Sequence, residues 1–92
     1  MKVKAEFFAD LRDRVGFAVK EVEFPGNTVL ELINEIDASC GGGLSGHLLE
    51  GGRLKELVKV FVNGRDVRGL GGLLTELKDG DVVSFFPPVA GG

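Results

Sequence analysis

The amino-acid sequence predicts a single α+β domain in which one main helix packs on one face of a mixed sheet of about five strands. Three observations support this prediction. The chain has 92 residues, enough for one domain with one small core. Short segments of alternating apolar and polar residues are separated by glycine-rich turns. One longer segment carries an apolar stripe at helical spacing.

The first two elements are predicted to be strands. Residues 2–9 alternate, so that charged residues and Phe8 lie on one face of the strand. The opposite face collects the apolar residues Val3, Ala5 and Phe7. Residues 17–24 form the second strand, but their alternation slips in the middle, which predicts a bulge or a frayed end there.

The segment from Asn27 to Ala38 has the period of a helix. Its apolar stripe consists of Val29, Leu32, Ile33 and Ile36. Thr28 and Glu31 have the spacing of a capping box at the helix N-terminus, and Gly41 follows the expected C-terminus. This is therefore the main helix, and residues 44–49 are expected to add a short helical turn.

Three further strands are expected in the C-terminal half. Residues 58–62 alternate and run into Asn63-Gly64, a tight-turn signal, which predicts a return strand containing Val67. Residues 82–86 form the last strand. Pro87-Pro88 ends it, because proline has no N–H to donate to a sheet. The predicted domain therefore covers residues 1–86, and a flexible C-terminal tail covers residues 87–92.

Composition and charge narrow the classes of function. The net charge is −3 and the 11 basic residues are scattered, which argues against nucleic acid and against an anionic membrane surface as partners. Cys40 is the only cysteine, so an intrachain disulfide, a cysteine-rich metal site and an iron–sulfur cluster are excluded. His47 has no nearby cysteine or carboxylate cluster and is expected to be a surface residue. The sequence predicts no metal site, no membrane span and a cytoplasmic location.

The tail ends in Gly91-Gly92, and its chemistry is that of a free carboxylate. Six residues from Pro87 onward reach about 20 Å, and the two terminal glycines can enter a channel that excludes side chains. A carboxylate reacts with sulfur only after activation. Attack on ATP gives an acyl-adenylate, and a sulfur donor can then displace AMP to leave a thiocarboxylate on Gly92. The alternative is an ordinary flexible terminus without chemistry.

Three segments resemble one family. They are Asp-Gly-Asp-Val-Val-Ser-Phe-Phe-Pro-Pro-Val-Ala-Gly-Gly at the C-terminus, Val-Asn-Gly-Arg-Asp-Val upstream of it, and Val-Lys-Ala-Glu-Phe-Phe-Ala-Asp-Leu-Arg near the N-terminus. The chain resembles the MoaD family, the small, ubiquitin-like subunit of molybdopterin synthase, and the predicted element order matches the β-grasp fold of that family.

The resemblance implies partners and a division of labour. An E1-like enzyme binds ATP and adenylates Gly92, a sulfur donor converts it to the thiocarboxylate, and the tail then enters a MoaE-like large subunit. That large subunit carries the catalytic pocket, so this chain is a non-catalytic subunit that binds no cofactor itself. Whether the product holds molybdenum or tungsten is left open.

The strand pattern also predicts a partner surface. Phe8 and Phe86 should lie close together where the tail begins, with Phe61 on the same face toward the other end of the sheet. The resemblance implies partner contacts for Phe8, Val67, Phe86, Pro87, Pro88, Val89 and Ala90. The alternative is that these aromatic rings are scattered or covered by a loop.

Other functions remain compatible with the sequence. The activated Gly92 could be attacked by a lysine amine, which would make the chain a protein modifier. It could also be a thiamine sulfur carrier, although those chains are usually shorter and end differently before Gly-Gly. A third class is a β-grasp binding module without tail chemistry.

Overall fold

The computed structural model describes residues 1–88 and has one five-stranded mixed sheet. Along the chain the elements are β1 (Lys2–Phe7), α1 (Leu11–Val15), β2 (Val19–Glu23), α2 (Val29–Ser39), α3 (Leu44–Leu48), β3 (Leu49–Glu50), β4 (Arg53–Leu54), β5 (Lys59–Val62), β6 (Arg65–Asp66), two 3-10 helices at Val67–Gly69 and Gly72–Leu74, and β7 (Val82–Phe86). The sheet order is β2-β1-β7-β5-β6, and β3 and β4 pair separately. The predicted fold class is therefore confirmed.

The core lies between α2 and one face of the sheet. Strand alternation sends one apolar set inward from β1, β5 and β7, namely Val3, Ala5, Phe7, Val60, Val62, Val83 and Phe85. The stripe predicted on α2 is buried against them, with Val29, Leu32, Ile33 and Ile36 all at most 2% exposed. Burial of this apolar area is the main force that holds the helix on the sheet.

The predicted capping box begins α2. The Thr28 side chain accepts a hydrogen bond from the Glu31 N–H at 3.2 Å, and Glu31 Oε1 accepts from the Asn27 N–H at 3.1 Å. Thr28 Oγ1 also donates to Glu31 Oε1 at 3.0 Å. The hydrogen bond from the Asn27 backbone, followed by that from the Thr28 side chain, lowers the pKa of Glu31.

A second carboxylate connects α2 to α3 across three glycines. Asp37 Oδ1 accepts from the N–H groups of Leu44 at 2.7 Å and Ser45 at 3.2 Å, and Oδ2 accepts from Ser45 Oγ at 3.0 Å. Gly41, Gly42 and Gly43 all have positive φ, which lets the chain reverse direction there. The short helical turn predicted at residues 44–49 is thereby confirmed at Leu44–Leu48, and both terminal leucines are buried.

Of the two alternatives predicted for the second strand, the frayed end is the one found. The strand β2 begins at Val19 and leaves residues 17–18 outside it, and its register on β1 is regular from Lys2↔Glu23 to Glu6↔Val19, so these strands contain no bulge. The pattern slips because β2 is an edge strand, where Lys20 pairs with the buried Ala5 yet stays exposed, with its Nζ 4.7 Å from the centre of the Phe17 ring.

Val67 is not in a return strand. The strand β6 stops at Asp66, because the Asp66 carboxylate accepts the Arg68 N–H at 2.9 Å and caps a 3-10 helix that starts at Val67. The Val67 side chain is completely buried in the core.

Two further predictions concern length and boundaries. Among residues 1–88, no helix has the length and apolar character that crossing a bilayer requires, and α2 has eleven residues. The predicted boundary between domain and tail follows β7, but residues 89–92 of that tail lie outside the described residues.

Candidate docking site at the root of the C-terminal tail

The topology of the sheet determines what surrounds the start of the tail. Strands β1 and β7 are parallel, with Phe7 paired to Phe85, so both strands end at the same edge. Strand β5 is antiparallel to β7 and begins there, with Lys59 paired to Phe86. The residues that follow β1 and precede β5 therefore flank the point where the tail begins.

Three rings form an aromatic cluster on the face of the sheet opposite α2. The rings of Phe8 and Phe86 are stacked, with centroids 4.3 Å apart and an interplanar angle of 7°. Phe61 meets Phe86 edge-on, at 5.5 Å and 88°. Phe8 is 38% exposed, and the other two rings are half-buried. The predicted proximity of Phe8 and Phe86 is confirmed.

The predicted position of Phe61 at the other end of the sheet is wrong. Phe61 pairs with Ser84, which is only two residues before Phe86 on β7. Diagonal neighbours on one face of a sheet lie within reach of aromatic side chains, so the Phe61 ring contacts Phe86. The predicted face of the sheet is confirmed for Phe61. Its predicted position along β5 is wrong, because that position depends on the register between β5 and β7.

Polar groups border the aromatic cluster. Ser84 Oγ donates to Glu6 Oε1 at 3.0 Å, which holds the half-buried Glu6 side chain against the sheet. Lys59 is exposed and pairs with Phe86 across β5 and β7. An apolar centre with a polar rim is the usual anatomy of a protein–protein interface.

The buried face of the sheet supports this surface from behind. The rings of Phe7 and Phe85 stack with centroids 5.2 Å apart, and Phe17 meets Phe7 edge-on at 5.6 Å. The Phe8 N–H donates to the Phe85 carbonyl at 3.1 Å, which continues the β1–β7 pairing to the exposed ring. The aromatic cluster is thus fixed by the core and needs little ordering before a partner binds.

The structure brings together only part of the predicted site. Phe8, Phe86, the half-buried Pro87 and the exposed Pro88 lie at the tail root. Val67 does not belong to this surface, since its buried side chain has no exposed area to offer a partner. Val89, Ala90, Gly91 and Gly92 lie outside the described residues.

A cavity at the other end of the sheet lies away from the aromatic cluster. A cavity of about 590 Å³ is lined by Lys2, Lys4, Glu21, Glu23 and Asp79, among others, toward the end of β1 and β7 opposite the tail root. Between Met1 and Pro88, no group of three or more His, Cys, Asp or Glu side chains is arranged to hold a metal ion. The aromatic cluster can bind a protein surface, and it carries no nucleophile or acid–base pair of its own.

The sheet order and the helix on one face are those of a ubiquitin-like β-grasp protein. Comparison with known proteins agrees. The model of the ThiS family matches residues 5–92, so the chain belongs to this family of ubiquitin-like sulfur carriers.

Individual relatives cover nearly the whole chain. Small archaeal modifier protein 3 of Haloferax volcanii is 42% identical, and the match covers 100% of both chains. A chain in the crystal structure of the Amycolatopsis orientalis BexX/CysO complex is 39% identical with a TM-score of 0.83, covering 98% of this chain and 99% of that one. A putative molybdopterin converting factor, subunit 1, from Pyrococcus furiosus is 39% identical with a TM-score of 0.75, covering 97% and 99%.

Proposed function

We propose that this chain is a sulfur carrier that delivers sulfur from a thiocarboxylate on Gly92, as the non-catalytic small subunit of a molybdopterin synthase. One observation carries the proposal. The family match extends through the terminal Gly91-Gly92, and the tail that holds these residues starts at an exposed aromatic cluster suited to docking. Docking and tail chemistry are thus joined in one part of the molecule.

Activation requires a nucleotide and a sulfur nucleophile. The Gly92 carboxylate oxygen attacks the α-phosphorus of ATP, pyrophosphate leaves, and an acyl-adenylate results. Hydrosulfide then attacks the acyl carbon. A C–S bond forms, the bond to AMP breaks, and the thiocarboxylate remains on Gly92. An E1-like adenylating enzyme holds the ATP, and this chain binds no cofactor. Its own residues supply the surface that orients the tail.

Delivery requires a second partner. A MoaE-like large subunit binds the aromatic cluster formed by Phe8, Phe61 and Phe86, and the tail carries the thiocarboxylate about 20 Å from the domain into its pocket. The likeness to the Pyrococcus furiosus protein, whose name is that of a molybdopterin converting factor subunit, supports this recipient. The proposal places the reaction in the cytoplasm, because a chain with one cysteine suits a reducing compartment.

Mass spectrometry tests the first half of the proposal. The purified chain is incubated with the activating enzyme, ATP and sulfide, and we expect the intact mass to rise by one oxygen-to-sulfur exchange. A variant that lacks Gly92 should fold equally well and show no mass change. The absence of any mass gain in the wild-type chain would refute sulfur carriage. The second half of the proposal concerns delivery. When the thiocarboxylated chain is mixed with the large subunit and the pterin precursor, we expect the precursor to be converted to the dithiolene.

A second candidate function is protein modification. The full-length likeness to small archaeal modifier protein 3 favours it. The acyl-adenylate is common to both routes, and a lysine amine in place of sulfide would give an isopeptide bond to Gly92. Peptide mapping of a lysate in which the chain is expressed separates the two, because only a modifier leaves its C-terminal glycines attached to lysines of other proteins.

A further inference from the structure

The segment between α2 and β5 is rich in glycine and has little regular structure of its own. Helix α3 has only five residues, and β3 and β4 have two residues each. A helix this short is not stable alone in water, and glycine loses more backbone freedom on folding than any other residue. The segment therefore depends on its contacts with the rest of the domain. Six of the 15 glycines of the chain lie in it, namely Gly41, Gly42, Gly43, Gly46, Gly51 and Gly52.

This segment takes no part in the pairing of the five-stranded sheet. In the described chain, β3 and β4 pair with each other in a sheet of their own. Helix α3 packs against α1 and α2, and β4 packs against the second 3-10 helix. The segment can therefore separate from the domain without breaking a hydrogen bond between the strands of the larger sheet.

Two leucines fix the segment to the core. Leu44 and Leu48 are the first and last residues of α3, and they are 1% and 0% exposed. The two helices against which α3 packs contribute buried apolar residues of their own, among them Leu11 of α1 and Ile36 of α2. Withdrawal of α3 would thus uncover apolar surface on both helices.

The N-terminal end of the segment is held by a side chain of α2. Asp37 accepts hydrogen bonds from the N–H groups of Leu44 and Ser45 and from Ser45 Oγ, across the three glycines with positive φ. These glycines leave the chain between α2 and α3 free to adopt other conformations. The Asp37 carboxylate is therefore the polar group that fixes the start of α3.

The C-terminal end is held by one guanidinium group. Arg68 Nη2 donates to the Lys55 carbonyl at 2.7 Å, and Nη1 donates to the Val58 carbonyl at 2.5 Å. The planar fork of an arginine can bridge two acceptors in a fixed geometry, which a lysine ammonium does not do as well. The Lys55 N–H donates to the Leu48 carbonyl at 2.9 Å, so this contact also connects Arg68 to α3.

We infer that residues 41–57 form a lid that opens as one unit while α2 and the five-stranded sheet stay folded. Asp37 and Arg68, which both lie outside the lid, hold its two ends closed. Opening removes Leu44 and Leu48 from the core and exposes the apolar surface of α1 and α2 beneath α3. The aromatic cluster lies on the other face of the sheet, so its arrangement is kept when the lid opens. Lid opening requires no chemistry at Gly92 and is independent of the proposed function.

Native-state hydrogen exchange of the full chain in low concentrations of urea tests the lid. The amides of Leu49 and Lys55 are hydrogen-bonded within the lid, and the amide of Leu32 in α2 is the reference. We expect both lid amides to exchange with the same opening free energy and the same weak dependence on urea. Both quantities should be smaller than those of Leu32, because lid opening exposes less surface than global unfolding.

A substitution at one end of the lid should act on the whole of it. Arg68→Ala removes the hydrogen bonds at the C-terminal end, and we expect exchange of both Leu49 and Lys55 to accelerate by about tenfold. Asp37→Asn should accelerate both amides as well, because a neutral amide is a weaker acceptor than a carboxylate. Arg65→Ala is the matched control. It removes the same type of side chain from the exposed surface of β6 and should leave both rates within about twofold of the wild type.

Two results would overturn the lid. If Leu49 and Lys55 exchange with the free energy and urea dependence of Leu32, the segment opens only when the whole domain unfolds. If Arg68→Ala accelerates Lys55 and leaves Leu49 unchanged, the two ends do not open together. Thermal unfolding shows whether each variant is folded. Arg68→Lys is the milder variant, and it should accelerate both amides by less than Arg68→Ala does.

Discussion

The rings of Phe8 and Phe86 lie face to face, with centroids 4.3 Å apart and planes inclined by only 7°. Their stacking follows from the parallel pairing of β1 and β7, in which Phe7 lies opposite Phe85 and the next residues emerge together on the exposed face. An aromatic pair contributes about 0.5–1.5 kcal/mol beyond its buried area. Stacking this weak does not explain why two large rings are kept at an exposed position. A ring that becomes buried in an interface, by contrast, can contribute about 2 kcal/mol or more to the binding free energy.

Replacement of Phe8 by alanine should therefore weaken partner binding more than folding. We expect the dissociation constant for the MoaE-like subunit to rise about 30-fold, and the free energy of unfolding to fall by no more than about 1.5 kcal/mol. Isothermal titration calorimetry and urea denaturation measure the two quantities. Leu74→Ala is the control, because Leu74 is 71% exposed but does not belong to the aromatic cluster. The residues that follow it pair with the N-terminal end of α2. A loss of affinity as large in Leu74→Ala would contradict a specific role for the aromatic cluster.

Much of this site could be predicted from local sequence patterns. Alternation assigned Phe8, Phe61 and Phe86 to one face, and the order of the elements placed Phe8 beside Phe86. The position of Phe61 depends on the register between β5 and β7, which are separated by β6 and two 3-10 helices. No local pattern encodes that register, because it is set when the complete core packs.

The misplaced Val67 and the irregular pattern of β2 both have local causes that the pattern did not weigh. Val67 is apolar and follows a hairpin turn, which favoured a strand, but the Asp66 side chain competes for the backbone and starts a 3-10 helix instead. The alternation of apolar and polar residues in β2 is interrupted by Lys20. Because β2 is an edge strand, this charged residue can occupy a core-side position and still remain exposed. The capping box was read correctly because both of its partners lie within three residues of each other.

Replacement of Gly91 by valine tests the narrow-channel requirement of the tail. A branched side chain at this position should block entry into the activating enzyme, so we expect the rate of adenylation to fall by about 100-fold or more. The melting temperature should not change, because the substitution lies beyond the last strand. Pyrophosphate release and thermal unfolding measure the two effects. Retention of the full rate would show that the terminal glycines are not selected for their lack of a side chain.

Gly26 is constrained by its contact with the capping box. A Cβ added to Gly26 would lie 2.7 Å from both Cβ and Cδ of Glu31, closer than such atoms approach in proteins. Gly26→Ala should therefore displace the Glu31 carboxylate from the Asn27 N–H and lower the free energy of unfolding by about 1–3 kcal/mol. Urea denaturation measures this loss, and it should shrink when Glu31 is also replaced by glycine, which removes both of the carbons that the added methyl group would meet.

Gly46 offers a matched control for that substitution. It lies within α3, and a Cβ added there would meet nothing within 4 Å. Gly46→Ala should leave stability unchanged or raise it by up to about 1 kcal/mol, because alanine favours the helix. If both alanine variants were destabilised equally, the contact with Glu31 would not be the cause.

The junction between α2 and α3 should make stability depend on pH through Asp37. Partial burial raises the pKa of this carboxyl, but the hydrogen bonds from Ser45 Oγ and from the N–H groups of Ser45 and Leu44 together outweigh it, so the pKa lies below its ordinary value. A carboxyl with a lowered pKa in the folded state stabilises the fold above the ordinary pKa of about 3.9, and this contribution is lost as the pH falls through the lowered value.

Asp37→Asn should therefore lower the melting temperature at pH 7, and its difference from the wild type should narrow as the pH falls below about 3.9, because the carboxylate then loses its stabilising contribution. Thermal unfolding over this pH range measures both. The control is Asp13→Asn, which removes the same charge from the exposed face of α1. The two aspartates differ in that Asp37 accepts hydrogen bonds from Leu44 and Ser45. We therefore expect the difference in melting temperature from the wild type to become smaller in acid only for the Asp37 variant. A constant difference across the pH range would mean that the carboxylate charge does not hold α3 in place.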